Sequence, residues 1–136
     1  MADFELLSSK AYNPDTGKPG SKEDLDALWR SLFELEYWHF LIHPDKPMQP
    51  HIIEFDEQTW VLVFTDNAKL NAYARAHNIV TPDKKSMSMS IPCTAAREWL
   101  NKGNAHVYGV RFNQGEFGWF APIESLTNIY NYLFSI

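Results

Sequence analysis

The sequence predicts an α/β fold, with α+β as the other possibility: one mixed β-sheet of about five or six strands with antiparallel hairpins and about four packed helices. Three observations predict it. Trp60-Val61-Leu62-Val63-Phe64 is an unbroken run of strand formers that leads through Thr65-Asp66 into a helical pattern, as in a strand covered on both faces and followed by a capped helix. Ser86-Met87-Ser88-Met89-Ser90-Ile91 alternates strictly, the period of a strand with the methionines and Ile91 turned inward. Residues 105–113 and 116–120, joined by Gln114-Gly115, read as an aromatic-rich hairpin.

Taken in order, residues 1–20 read as an N-terminal arm or linker, because Asn13-Pro14, Asp15-Thr16-Gly17 and Lys18-Pro19-Gly20 are all turn signals. Residues 21–136 then form one domain. Ser21-Lys22-Glu23-Asp24 is a capping-box-like start, and Leu25, Leu28, Trp29 and Leu32 follow at helical spacing, so a helix covers roughly 22–35. Tyr37 to Ile42 is a strand stopped by His43-Pro44, with a continued helix as the alternative. After a proline-rich loop, His51–Phe55 pairs with 59–64 around a turn at Asp56-Glu57-Gln58.

The helix capped by Asp66 turns Leu70, Tyr73 and Ala74 inward and ends near His77-Asn78. Pro92 opens a further helix with Ala96, Trp99 and Leu100 inside and Gly103 as its stop. In the late hairpin a two-residue turn sets Phe112 opposite Phe117 and Val110 opposite Trp119, leaving Gly109, Arg111, Gly118 and Phe120 on the other face. Pro122 opens a last helix that carries Leu126, Ile129, Tyr130 and Leu133.

The chain has 136 residues, 45% of them hydrophobic and 15% aromatic, which suits one folded domain and excludes global disorder. Twelve basic against 17 acidic side chains give a net charge of −5, which argues against nucleic acid as a partner, because such binding rests on neutralising phosphates. The N-terminus lacks the basic and apolar segments of a signal peptide, no apolar run reaches membrane-spanning length, and Cys93 is alone. The expectation is a cytoplasmic protein with no membrane contact.

Val61-Leu62-Val63-Phe64-Thr65-Asp66 with Leu70 and Tyr73 behind it, the strand-then-helix pattern at 86–100, and Gly109-Val110-Arg111-Phe112-Asn113-Gln114-Gly115 together resemble the N-terminal domain of the SseB family. The resemblance spans roughly residues 22–126. The family has Asn-Pro-Gly where this chain has Asn113-Gln114-Gly115, and the second domain of longer members has no counterpart here. It implies a non-enzymatic binding or regulatory domain. No catalytic residue carries over, and Thr65 and Asp66 match as structural residues.

The residues themselves offer limited chemistry. His39 and His43 stand at i and i+4, which suits a metal on a helix, but in a strand they lie about 13 Å apart, too far to share an ion. Cys93 near a helix start could be an activated thiol, but without a surrounding nucleophile motif it reads as buried packing. Asp56 and Glu57 read as solvated turn acids. No glycine-rich phosphate loop or other cofactor motif is present.

The best candidate is the late hairpin. Gly109 and Gly118 beside Arg111 would let a ligand or another backbone approach the sheet, with Arg111 available to a carboxylate or phosphate; the bland reading pairs Arg111 with Glu116 or solvent. Tyr108, Phe117 and Trp119, with Tyr37, Trp38 and Phe112, supply aromatics enriched at protein interfaces and equally at home in a core. Arg111, Tyr108, Phe117 and Trp119 are therefore the expected binding residues, and a protein partner or self-association the expected function. A small ligand-binding protein or enzyme built on Arg111 is the alternative.

Overall fold

The computed structural model describes residues 3–13, 15–16, 18–46, 49–102, 107–115 and 118–134. Among these, the chain forms five helices and six strands: α1 (Phe4–Ala11), α2 (Lys22–Phe33), β1 (Tyr37–Ile42), β2 (Ile52–Phe55), β3 (Gln58–Phe64), α3 (Asn67–Ala76), β4 (Met87–Pro92), α4 (Cys93–Asn101), β5 (Gly109–Phe112), β6 (Trp119–Pro122) and α5 (Ile123–Phe134). The α/β class and the mixed six-stranded sheet are as the sequence predicts. The sheet runs β4-β1-β3-β5-β6, and β2 shares with β1 the edge of β3 opposite β5. Every pairing is antiparallel except β3 with β5, which runs parallel.

β3 is central because it is apolar on both sides. Val61 and Val63 face one cluster with Trp38, Phe40, Val110, Phe112 and Trp119, covered by α1, α2, α4 and α5. Leu62 and Phe64 face a smaller cluster with Leu41, Leu70, Ala74 and Ile79, covered by α3. Four helices against one is an uneven arrangement. α3 packs on β1 and β3, and among the described residues it makes no comparable packing on the same face of β5 and β6.

Local chemistry sets the element ends. Ser21 accepts the Asp24 N–H at 3.1 Å and starts α2, and Asp66 accepts the Lys69 N–H at 2.8 Å and starts α3. Asp56 and Glu57 both take positive φ, 54° and 65°, and Phe55 pairs with Gln58, so the β2–β3 turn holds two residues rather than the expected three. The predicted stop at Gly103 lies outside the described residues.

Two further expectations differ from the structure. Residues 1–20 are not merely an arm, because α1 lies within them and buries Phe4 and Ala11 at 6% and 0% exposure. The turn signals after it fold the chain back: Asn13 N–H donates to the Lys18 carbonyl, Gly20 N–H donates to the Ala11 carbonyl, and α1 packs on α2.

The late hairpin also pairs differently. Phe112 lies opposite Trp119 and Val110 opposite Ala121, two residues beyond the expected register. Asn113 leaves β5 with φ 49° and donates its N–H to the Val63 carbonyl, so the strand ends at Phe112. Gly118 packs against that corner, where a Cβ would lie 2.8 Å from the Asn113 carbonyl oxygen. A shift of two residues preserves which side chains share a face, so the predicted facing of Val110, Phe112 and Trp119 against Gly109, Arg111 and Phe120 stands.

Candidate functional site

The part of the sheet that α3 leaves bare is built from β2, β3, β5 and β6. Cross-strand partners share a face, so the pairs Leu62 with Arg111, Trp60 with Gly109, and Arg111 with Phe120 set these side chains side by side. Phe55, at the end of β2, joins them. The Arg111 guanidinium carbon stands 4.3 Å from the Phe55 ring centre, 4.6 Å from that of Trp60 and 4.8 Å from that of Phe120. Three rings thus hold one cation, each such contact worth about 0.5–1 kcal/mol at an exposed site.

Trp60 organises the group. Its indole N–H donates to the Phe55 carbonyl at 3.1 Å, and Tyr108 and Phe120 meet its ring edge-on, each with centroids 5.3 Å away. Gly109 makes this possible, since a Cβ there would stand 2.6 Å from the Trp60 ring and 2.5 Å from the Ala121 carbonyl oxygen. The close approach expected beside Arg111 is therefore real at Gly109, but the approaching group is Trp60. Gly118 admits loop backbone instead.

Burial among the rings lowers the Arg111 pKa from its ordinary value, and the nearby Asp56 carboxylate opposes this, so the group remains the cation that guanidinium is in proteins. Its Nε is buried without a hydrogen-bond partner among the described residues. One terminal nitrogen reaches the Gln114 side-chain oxygen at 3.5 Å. Around this half-sheltered charge, Phe55 and Phe120 are each 53% exposed and Tyr108 45%.

No model of a known protein family matches the chain, and no characterised protein matches it.

Of the residues expected to bind, Arg111 and Tyr108 come together on this face. Trp119 does not. It is 4% exposed on the opposite side of the sheet, stacked between Phe4 and Phe112 at centroid distances of 6.0 and 5.6 Å. Phe117 lies outside the described residues, as does Glu116. Trp38 and Phe112 are core, both at 0%, while Tyr37 is 41% exposed. Phe55 and Trp60 were not among the expected binding residues. Period-two alternation puts them on one face of the β2–β3 hairpin, but their proximity to Arg111 comes from the parallel β3–β5 register.

The remaining candidates are structural. Residues 37–42 form a strand, His39 Nδ1 lies 2.6 Å from Ser90 Oγ, and the His43 ring neighbours that of His51 at 5.6 Å. Burial, then the neighbouring His43 and His77, lowers the His51 pKa. Among the described residues no group of three or more His, Cys, Asp or Glu is arranged for a metal ion. Burial raises the Cys93 pKa, opposed by Arg97, and its thiol donates to the Phe33 carbonyl at 3.4 Å, so it is not an activated nucleophile.

Proposed function

We propose that the chain is a non-enzymatic, cytosolic protein-binding module of the SseB type, and that its docking surface is the bare half-face centred on Arg111. The supporting observation is the concentration of exposed Phe55, Phe120 and Tyr108 around a cation held by aromatic rings. Aromatic side chains and Arg dominate the energetic centres of protein interfaces, because rigid rings bury much area at low entropic cost and a guanidinium binds carboxylates bidentately. The partner presents a carboxylate to Arg111 and apolar side chains to the flanking rings. Nucleic acid is disfavoured by the net charge of −5. No helix among the described residues is long and apolar enough to cross a membrane.

The alternative, a small-molecule site or enzyme using Arg111, has less behind it. It calls for a concavity that gathers Arg111 with other titratable groups, and Arg111 lines neither the cleft beside α3 nor the one at His43 and His51.

The test compares wild type with Arg111→Ala and Phe120→Ser in affinity capture and in sedimentation over a range of concentrations. Partner capture or self-association should fall by about tenfold or more in both variants, as for hot-spot residues, with the melting transition retained. A monomer that recovers no partner, or variants that capture the same partner as wild type, would refute the assignment. Tight binding to nucleic acid at low salt would replace it.

A further inference from the structure

A cleft of about 630 Å³ opens where α1, α3 and the chain after β5 meet, within the range of small-molecule sites. Its floor is Phe64, the last residue of β3, and its rim begins at Asn113, directly after β5. The cleft therefore sits at the carboxyl ends of the parallel strand pair. From there the chain leaves β3 toward α3 on one face, while β5 turns back into β6 and α5 packs on the other. Open sheets bind ligands at such divergences, because the connections part and leave a crevice.

Side-chain size explains the space. α3 buries Leu70 and Ala74 on the sheet, while the flank turned to the cleft carries Ala72 and Ala76. The walls are aromatic: Tyr73 and His77 stack with centroids 4.1 Å apart and planes 28° apart, Phe64 lies 5.5 Å from Tyr73, and Phe4 closes the α1 side.

The polar groups are largely committed. Lys69 Nζ donates to Asp66 at 2.8 Å. The Asn113 side chain accepts the Thr65 N–H at 2.9 Å and donates to the Thr65 hydroxyl at 3.0 Å. Glu5, exposed on α1, is the lining carboxylate with no ion pair among the described residues.

We propose that this cleft is a binding site for a small aromatic amine, its ring against Tyr73 and His77 beside the nearly buried Phe4 and Phe64, and its ammonium toward Glu5. A cation near a carboxylate and over aromatic faces gains from both, whereas an aromatic acid meets Glu5 as a like charge. The site is distinct from the Arg111 face, which among the described residues it meets only at Gln114.

The test uses three probes that share a ring and differ in charge: tryptamine, indole and indole-3-acetate, titrated into the labelled protein while backbone amide resonances are followed. Tryptamine should shift resonances of α3 and residues 113–115 and bind about threefold or more tighter than indole-3-acetate, the scale of one exposed charge contact. Glu5→Gln should remove that preference. Ala76→Trp, at an exposed helix position, should fill the cleft and abolish the shifts with the melting temperature kept; Ala72→Leu serves if Ala76→Trp alters folding. Phe120→Ser should change nothing. Failure of every probe to move the α3 resonances, tighter binding of indole-3-acetate, a preference that survives Glu5→Gln, persistent binding in the filled variants, or loss of binding in Phe120→Ser would each overturn the assignment.

Discussion

Asp66 shows how one side chain sets both a boundary and a pH response. Burial raises its pKa, but the Lys69 ammonium and backbone N–H, both hydrogen-bonded to the carboxylate, outweigh this and hold it below the ordinary 3.8. A carboxyl group with a depressed folded-state pKa contributes stability that is present above 3.8 and lost as pH falls through the lower folded value. Asp66→Ala should therefore cost about 0.5–2 kcal/mol at neutral pH. The gap between the two proteins should narrow in denaturation curves taken at successively lower pH below 3.8. Gly109 is the other informative residue. Gly109→Ala forces a methyl against the Ala121 carbonyl and the Trp60 ring, so about 1–3 kcal/mol of destabilisation is expected from overpacking, read as a lower denaturation midpoint. A midpoint equal to wild type would show that Trp60 does not lie on β5 in solution.

Among the elements, α1 shows how a short helix belongs to a core without a conspicuous apolar stripe. Its buried residues Phe4, Ser8 and Ala11 include one large hydrophobe, and Ser8 satisfies its hydroxyl locally by donating to the Glu5 carbonyl at 3.2 Å. The helix is held by Phe4 on Trp119 and by close contact with α2. Phe4→Ala should cost about 3–5 kcal/mol, the range for removing a buried aromatic ring. A change within about 0.5 kcal/mol, the usual surface value, would mean that α1 is a loose arm after all.

At the scale of the molecule, one strand joins two unequal cores. Leu62 is 0% exposed in the smaller cluster under α3, and Val63 is 0% exposed in the larger one beneath the other helices. Leu62→Ala should cost about 2–5 kcal/mol, a large share of a domain's typical ~5–15 kcal/mol. Because β3 belongs to both clusters, the loss should move one cooperative unfolding transition seen alike by circular dichroism and tryptophan fluorescence. Two separate transitions would show that α3 and its cluster unfold independently.

The sequence by itself determined the features that depend on neighbours along the chain. The apolar run at 60–64, the Asp66 cap, the alternation of 86–91 and the helical spacing after Ser21 and Pro122 all have short-range causes, and each element formed where its pattern lies. Even the faces of the late hairpin were legible, since a register error of two residues leaves side-chain parity unchanged. Tertiary structure decided what depends on distant partners. Trp119 and Phe120 are adjacent aromatics, yet one is core and the other is 53% exposed, because helices cover one side of β6 and α3 stops short of the other. The ring group around Arg111 joins residues from four strands through a parallel pairing whose register no local turn specifies. α1 was hidden for a related reason: beside Phe4 its buried face holds only the small Ser8 and Ala11, too little to read as an apolar stripe, and only the groove provided by α2 and Trp119 makes their burial favourable.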